Sequence, residues 1–136
     1  MRVETRGRAR ALQALYAWDM RSGEELSKVA VRVWDELAVT PEERQFADKI
    51  VGTVAGAHEE LDAALIEITD NWRLERIGAI ERSVLRLGAA ELRSGEAPPR
   101  VVIQEAVRLA ERFGSAASAR FVNGVLDAYA RRAGVL

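Results

Sequence analysis

Apolar residues in this chain recur at helical spacing, and no segment reads as a strand. Leu61, Leu65, Ile68 and Trp72 step four, three and four, and Val102, Ala106, Leu109 and Phe113 repeat those steps. Residues so spaced share one face of a helix at 3.6 residues per turn. A half-buried strand would instead alternate apolar and polar residues between turn signals, and no stretch does so convincingly. Alanine, leucine, arginine and glutamate dominate and only three prolines interrupt, which favours helix almost throughout.

Six or seven helices with short connections follow, packed as an all-α bundle. The first spans about 4–21 and stops at Ser22-Gly23. Its buried arc holds Ala11, Leu12, Ala14, Leu15 and Trp18, while Arg6, Arg10 and Gln13 lie opposite and Tyr16 sits at the margin. Arg8 projects toward the apolar side, so it either snorkels or precedes regular helix. A weaker helix covers about 24–37. The next opens on Thr40-Pro41-Glu42-Glu43, a capping box with proline at the first helical position, and has Phe46, Ile50, Val51 and Val54 as its core face. The Leu61–Trp72 stripe marks a separate helix. Ile77, Ile80, Val84, Leu85, Leu87 and Leu92 define a central helix over 77–92, where Gly88 permits close approach and Arg82, Arg86 and Arg93 keep the far side polar. Residues 94–99 form a loop, Gly114 stops the following helix, and the last runs over about 115–132.

The composition excludes several classes of protein. Without cysteine there is no disulfide, thiolate nucleophile or zinc knuckle. No apolar run approaches the roughly 18 residues of a membrane span, and no signal-peptide core follows the N-terminus, so a cytoplasmic chain is expected. The single histidine, His58, reads as solvent-facing or capping, and no phosphate loop or metal-binding helix is present. No catalytic set, cofactor site or metal site is expected.

Charge is what stands out. The first ten residues carry four arginines against one glutamate, in a chain of net charge −1. Arginine's planar fork suits phosphate, so this end reads as a nucleic-acid contact, with a solvated, frayed terminus as the alternative. Glu81 and Glu91 fall within the apolar arc of the central helix, and each needs either a salt bridge from another helix or a contact with a partner. In the last helix Val122, Val125, Leu126 and Tyr129 form the core stripe, and Arg120, Asn123, Gly124 and Asp127 the outer one. Gly124 costs about 1 kcal/mol relative to alanine there, so a neighbouring helix, an RNA backbone or a partner protein should come close. Phe121 borders that stripe, placed to stack on an unpaired base.

Four segments in order resemble the NusB family of transcription antitermination factors. They are Arg8-Ala9-Arg10 into Leu12-Gln13-Ala14-Leu15-Tyr16; Ile80-Glu81-Arg82-Ser83-Val84-Leu85-Arg86-Leu87 through Glu91-Leu92; Val102-Ile103-Gln104-Glu105-Ala106-Val107-Arg108-Leu109-Ala110 into Phe113-Gly114; and Arg120-Phe121-Val122-Asn123-Gly124-Val125-Leu126-Asp127. The resemblance implies a single non-enzymatic domain over 1–136, built as two small helical bundles, an N-terminal lobe of about 1–72 and a C-terminal lobe of about 73–136. It implies boxA-type RNA and the ribosomal protein NusE as partners, with other Nus factors and RNA polymerase in a larger complex; a helical protein-interaction adaptor, or a homodimer that buries the RNA surface, is the alternative. RNA-binding positions carry over to Arg6, Arg8, Arg10, Arg120, Phe121 and Asn123, and partner-binding positions to Tyr16, Glu75 and Glu81. Glu4 and Gly7 interrupt an arginine run that is often denser in the family, and the pI near 5.9 points to weak RNA binding without the partner.

Overall fold

Among the described residues six α-helices carry the fold: α1 (Val3–Asp19), α2 (Leu26–Glu36), α3 (Pro41–Ile68), α4 (Ala79–Ser94), α5 (Pro99–Phe113) and α6 (Ala116–Arg132). A single 3-10 turn, Leu74–Arg76, precedes α4, and no strand is present among those residues. This computed structural model describes residues 2–21, 23–70 and 74–136. Ser22, Trp72 and the expected boundary between two lobes lie outside them. The buried apolar side chains of α1 to α6 form one continuous cluster.

Local chemistry sets the helix ends. Thr40 caps α3 by accepting a hydrogen bond from the Glu43 amide at 3.3 Å, while its hydroxyl donates to the Glu43 carboxylate at 3.0 Å. Ser115 caps α6 in the same way, accepting from the Ser118 amide at 3.1 Å. Two tryptophans fasten α2: Trp34 donates to the Arg10 carbonyl and Trp18 to the Glu24 carbonyl, each at 3.0 Å.

The third and fourth predicted helices follow one another within α3, joined across a kink at Ala57 (φ −142°, ψ 18°). No proline stands there to end the helix, so the chain bends and continues. One expectation changes: the far side of α4 is largely enclosed, with Arg86 buried, Arg82 half-buried and Arg93 exposed. Every residue from 83 to 92 is buried, because α4 packs against α1, α3, α5 and α6 together. Its polar face must therefore find partners inside the protein.

Gly88 is where α4 meets α6. A Cβ there would sit 2.5 Å from Leu126 Cδ1, and Leu126 is fully buried. Gly88→Ala should cost about 1–3 kcal/mol by overpacking, against which alanine's helix propensity restores about 1. A lowered urea midpoint at unchanged slope is the expected result; an unchanged midpoint would mean that Leu126 turns aside freely.

Candidate nucleic-acid interface

The arginines of α1 point two ways. Arg6 and Arg10 share one carboxylate, Glu43 of α3, with their Nε atoms 3.4 and 2.9 Å from its two oxygens. Arg10 also donates to Gln13 at 3.2 Å. Both guanidinium groups remain partly exposed at this edge.

Arg8 neither snorkels nor precedes the helix. It lies within α1, only 3% exposed. Its Nε and Nη2 grip the two oxygens of Glu91 at 2.7 and 2.9 Å, and its Nη1 reaches Glu105 at 3.2 Å. Thr5 donates to the same Glu105 oxygen at 2.6 Å, and the Phe46 ring lies beneath the guanidinium at 5.1 Å. Burial alone would lower the proton affinity of Arg8, but the two glutamates outweigh it and raise the pKa. Arg8, to which the resemblance carries over an RNA-binding role, is thus an enclosed side chain. Gly7 has a structural reason as well. A Cβ there would lie 2.8 Å from the Phe46 ring, so the gap in the arginine run is where α1 closes on α3.

The outer stripe of α6 is open. Arg120, Phe121 and Asn123 are exposed, and no atom lies within 4 Å of where a Gly124 Cβ would stand. The alternative of a neighbouring helix over Gly124 is thereby excluded among the described residues. α5 links this stripe to α1, since it packs along α6 and holds the start of α1 through Thr5 and Glu105.

The remaining predicted residues gather near the other end of α1. Tyr16 is exposed on α1 and Glu75 on the 3-10 turn. Glu81 is half-buried and accepts a hydrogen bond from the Ser118 hydroxyl of α6 in place of the expected arginine. Glu91 does meet an arginine, Arg8.

Sequence reasoning missed the polar centre beside them. Asp19, at the end of α1, is paired with Arg82 and, at 2.8 Å, with Arg86. Arg86 also binds both oxygens of Asp62 at 3.0 Å and lies over the Trp18 ring at 5.3 Å. His58, expected in solvent or as a cap, packs edge-on against Trp18 at 5.4 Å. The only available signal was a row of arginines on one face of α4, which reads equally as a solvated surface.

Two carboxylates here make stability depend on acid. Burial would raise the pKa of Asp19, but hydrogen bonds from Arg82 and Arg86 hold it below the ordinary value. The Arg10 hydrogen bond, followed by those of Thr40 and Arg6, lowers Glu43 against the opposing effect of burial. Both groups bind protons more weakly folded than unfolded, so their stabilisation is complete above the unfolded values and is lost as pH falls through the lowered ones. The urea midpoint should hold steady down to about pH 5 and fall steeply below about pH 4. Glu43→Gln should flatten part of that fall; an identical profile would remove Glu43 from the account.

Among the described residues no group of histidine and acidic side chains could hold a metal ion, and no helix is long and apolar enough to cross a membrane.

Comparison with known proteins adds to this geometry. The model of the NusB family matches residues 5–131. The transcription antitermination protein NusB of Sorangium cellulosum is 43% identical over 135 residues, covering 98% of this chain and 96% of the relative. A chain from the crystal structure of antitermination factors NusB and NusE in complex with dsRNA superposes with a TM-score of 0.88 at 31% identity, over 97% of this chain and 98% of that one. NusB of T. maritima superposes at 0.86 with 29% identity, over 94% and 90%.

Proposed function

Because this chain belongs to the NusB family, we propose that it is a transcription antitermination factor that binds boxA-type RNA together with the ribosomal protein NusE. One observation carries the RNA reading: the open stripe of α6, where Arg120, Phe121 and Asn123 surround a glycine with no neighbour of its own. A helix interior tolerates such a glycine at a cost of about 1 kcal/mol, and close approach by a ligand gives it a purpose. Phe121, 36% exposed, offers a ring for an unpaired base; Arg120 offers a phosphate contact, and Asn123 hydrogen-bonding groups for a base edge. Arg6 and Arg10 extend the contact to further phosphates. Arg8 acts from inside the protein, as a positioning residue for the other two.

NusE enters through the relative crystallised with it and dsRNA. Tyr16, Glu75 and Glu81 are its proposed contacts. The role is non-enzymatic and cytoplasmic, within an assembly that includes other Nus factors and RNA polymerase. With a net charge of −1 and few phosphate contacts, RNA affinity should be modest alone and should rise when NusE adds its own contacts.

The test is a titration of labelled boxA-type RNA and a scrambled control, with and without NusE. Selective binding that tightens with NusE is the expected result. Equal, weak binding to both RNAs, unaffected by NusE, would overturn the reading in favour of a helical adaptor or a homodimer.

A further inference from the structure

A second group of arginines lies beside the residues assigned above. A cavity of 330 Å³ opens between the start of α1 and the C-terminal half of α5. Buried Leu109, Arg8 and Glu105 form its floor, and exposed Arg2, Arg108 and Arg112 its rim. The Arg8 guanidinium of the floor is already engaged by Glu91 and Glu105, so positive charge for a ligand must come from the rim. Arg2 stands 3.6 Å from Glu4 in solvent, where such a pair contributes little, and Arg108 stands 3.6 Å from Glu105, too far for a strong hydrogen bond. Arg112 has no carboxylate partner among the described residues and rests over the Phe113 ring at 4.8 Å. Its donors are therefore available.

Position gives the cluster its meaning. Arg108 and Arg112 are one turn apart on α5, about 6 Å along its axis. Arg112 is in the last turn of α5, and the chain then turns at Gly114 into α6, whose first turns carry Arg120 and Phe121. At the other end the cavity touches Thr5, next in sequence to Arg6. The neighbouring stretch of α4, residues 83–92, is buried and offers no surface. A ligand that reaches both Arg6 and Phe121 by this side of the molecule thus crosses the arginine rim.

We propose that Arg2, Arg108 and Arg112 form a phosphate-binding site for the RNA backbone, joining the arginines of α1 to the open stripe of α6. The inference rests on the RNA-binding reading above and extends it. Guanidinium forks suit the phosphodiester oxygens, and a partly apolar floor accommodates the intervening sugar.

The experiment compares the wild type with Arg108→Gln/Arg112→Gln and with Lys28→Gln/Arg32→Gln. The second pair makes the same charge change on α2, which packs against α1 and α3 and away from α5. Affinity for boxA-type RNA in the presence of NusE is measured across a salt series, and NusE binding without RNA is measured alongside. Loss of the site should reduce the slope of log affinity against log salt by about 0.7 for each phosphate contact removed. NusE binding should stay unchanged, and the α2 pair should behave as wild type. If the wild type binds RNA selectively and the α5 pair keeps the same affinity and slope, the site falls while the functional reading stands. An equal loss in the α2 pair would reassign the effect to overall charge and overturn the site. Binding of inorganic phosphate that the α5 pair abolishes, with RNA affinity intact, would mark a free-anion site and overturn it too. A wild type that fails to select boxA-type RNA removes both readings together.

Discussion

Arg8→Ala is expected to destabilise the protein by about 3–5 kcal/mol, a large share of the roughly 5–15 that holds a domain folded. The cost does not come from the attraction that is lost. Two charges taken out of water recover little net energy when they pair. Removing one leaves the other without compensation, and here two carboxylates, Glu91 and Glu105, would remain in nearly closed surroundings. Thermal unfolding checks this, with an expected fall in Tm of roughly 10–20 °C at neutral pH. Arg8→Met/Glu91→Leu, which removes both partners of the tighter pair, should recover much of the loss. It also separates structure from recognition. If Arg8 only positions α1, the double variant keeps the wild-type salt dependence of RNA binding; a shallower slope would mean that Arg8 touches phosphate after all.

Asp19→Ala should be comparably damaging, at about 3–5 kcal/mol. Asp19 is nearly buried and faces two guanidinium groups, which unlike carboxylates cannot discharge by accepting or losing a proton near neutrality. Arg86 keeps Asp62 and the Trp18 ring, and Arg82 keeps the carbonyls of Leu74 and Ile77, at 2.9 and 2.5 Å. Both nevertheless lose the carboxylate that ties α4 to the end of α1. A consequence for binding follows. Tyr16 lies one turn before Asp19, and Glu81 directly precedes Arg82, so this ion pair sets how the two proposed NusE contacts face each other. At a temperature where the variant stays folded, its affinity for NusE should drop more than its affinity for RNA alone; equal losses would argue against the placement of Tyr16 and Glu81 at that contact.

How far the sequence discloses all this depends on the distance over which each feature is decided. The Thr40 cap and the Gly114 stop were legible because each is settled within four residues. The α6 stripe was legible because a helical wheel separates Val122 and Leu126 from Arg120 and Asn123 without knowledge of any neighbour. Arg8 and Glu91 were each visible as charges on an apolar face. That they satisfy each other across 83 residues was not, since the pairing is created only when α1 meets α4. The Arg82–Asp19 contact spans 63 residues and hid for a further reason: a helix with apolar residues on one side and arginines on the other normally borders water. Only enclosure by four neighbours turns that second side inward. At Ala57 the sequence was read as a boundary between two helices, and the backbone does break there, with the second helix following directly on the first.

Glu43 gives the arginine edge a property that counting charges would not. It is fixed from behind by Thr40, and Arg6 and Arg10 both rest on it, so two long side chains that would otherwise sample many rotamers are held near one orientation before any ligand arrives. Ordering such a chain on binding costs about 0.5–1.5 kcal/mol, and here that ordering is already complete at folding. The same carboxylate occupies donors that a stray polyanion would otherwise attract. The start of α3, remote in sequence from the arginines, thus controls both the readiness and the selectivity of the N-terminal edge.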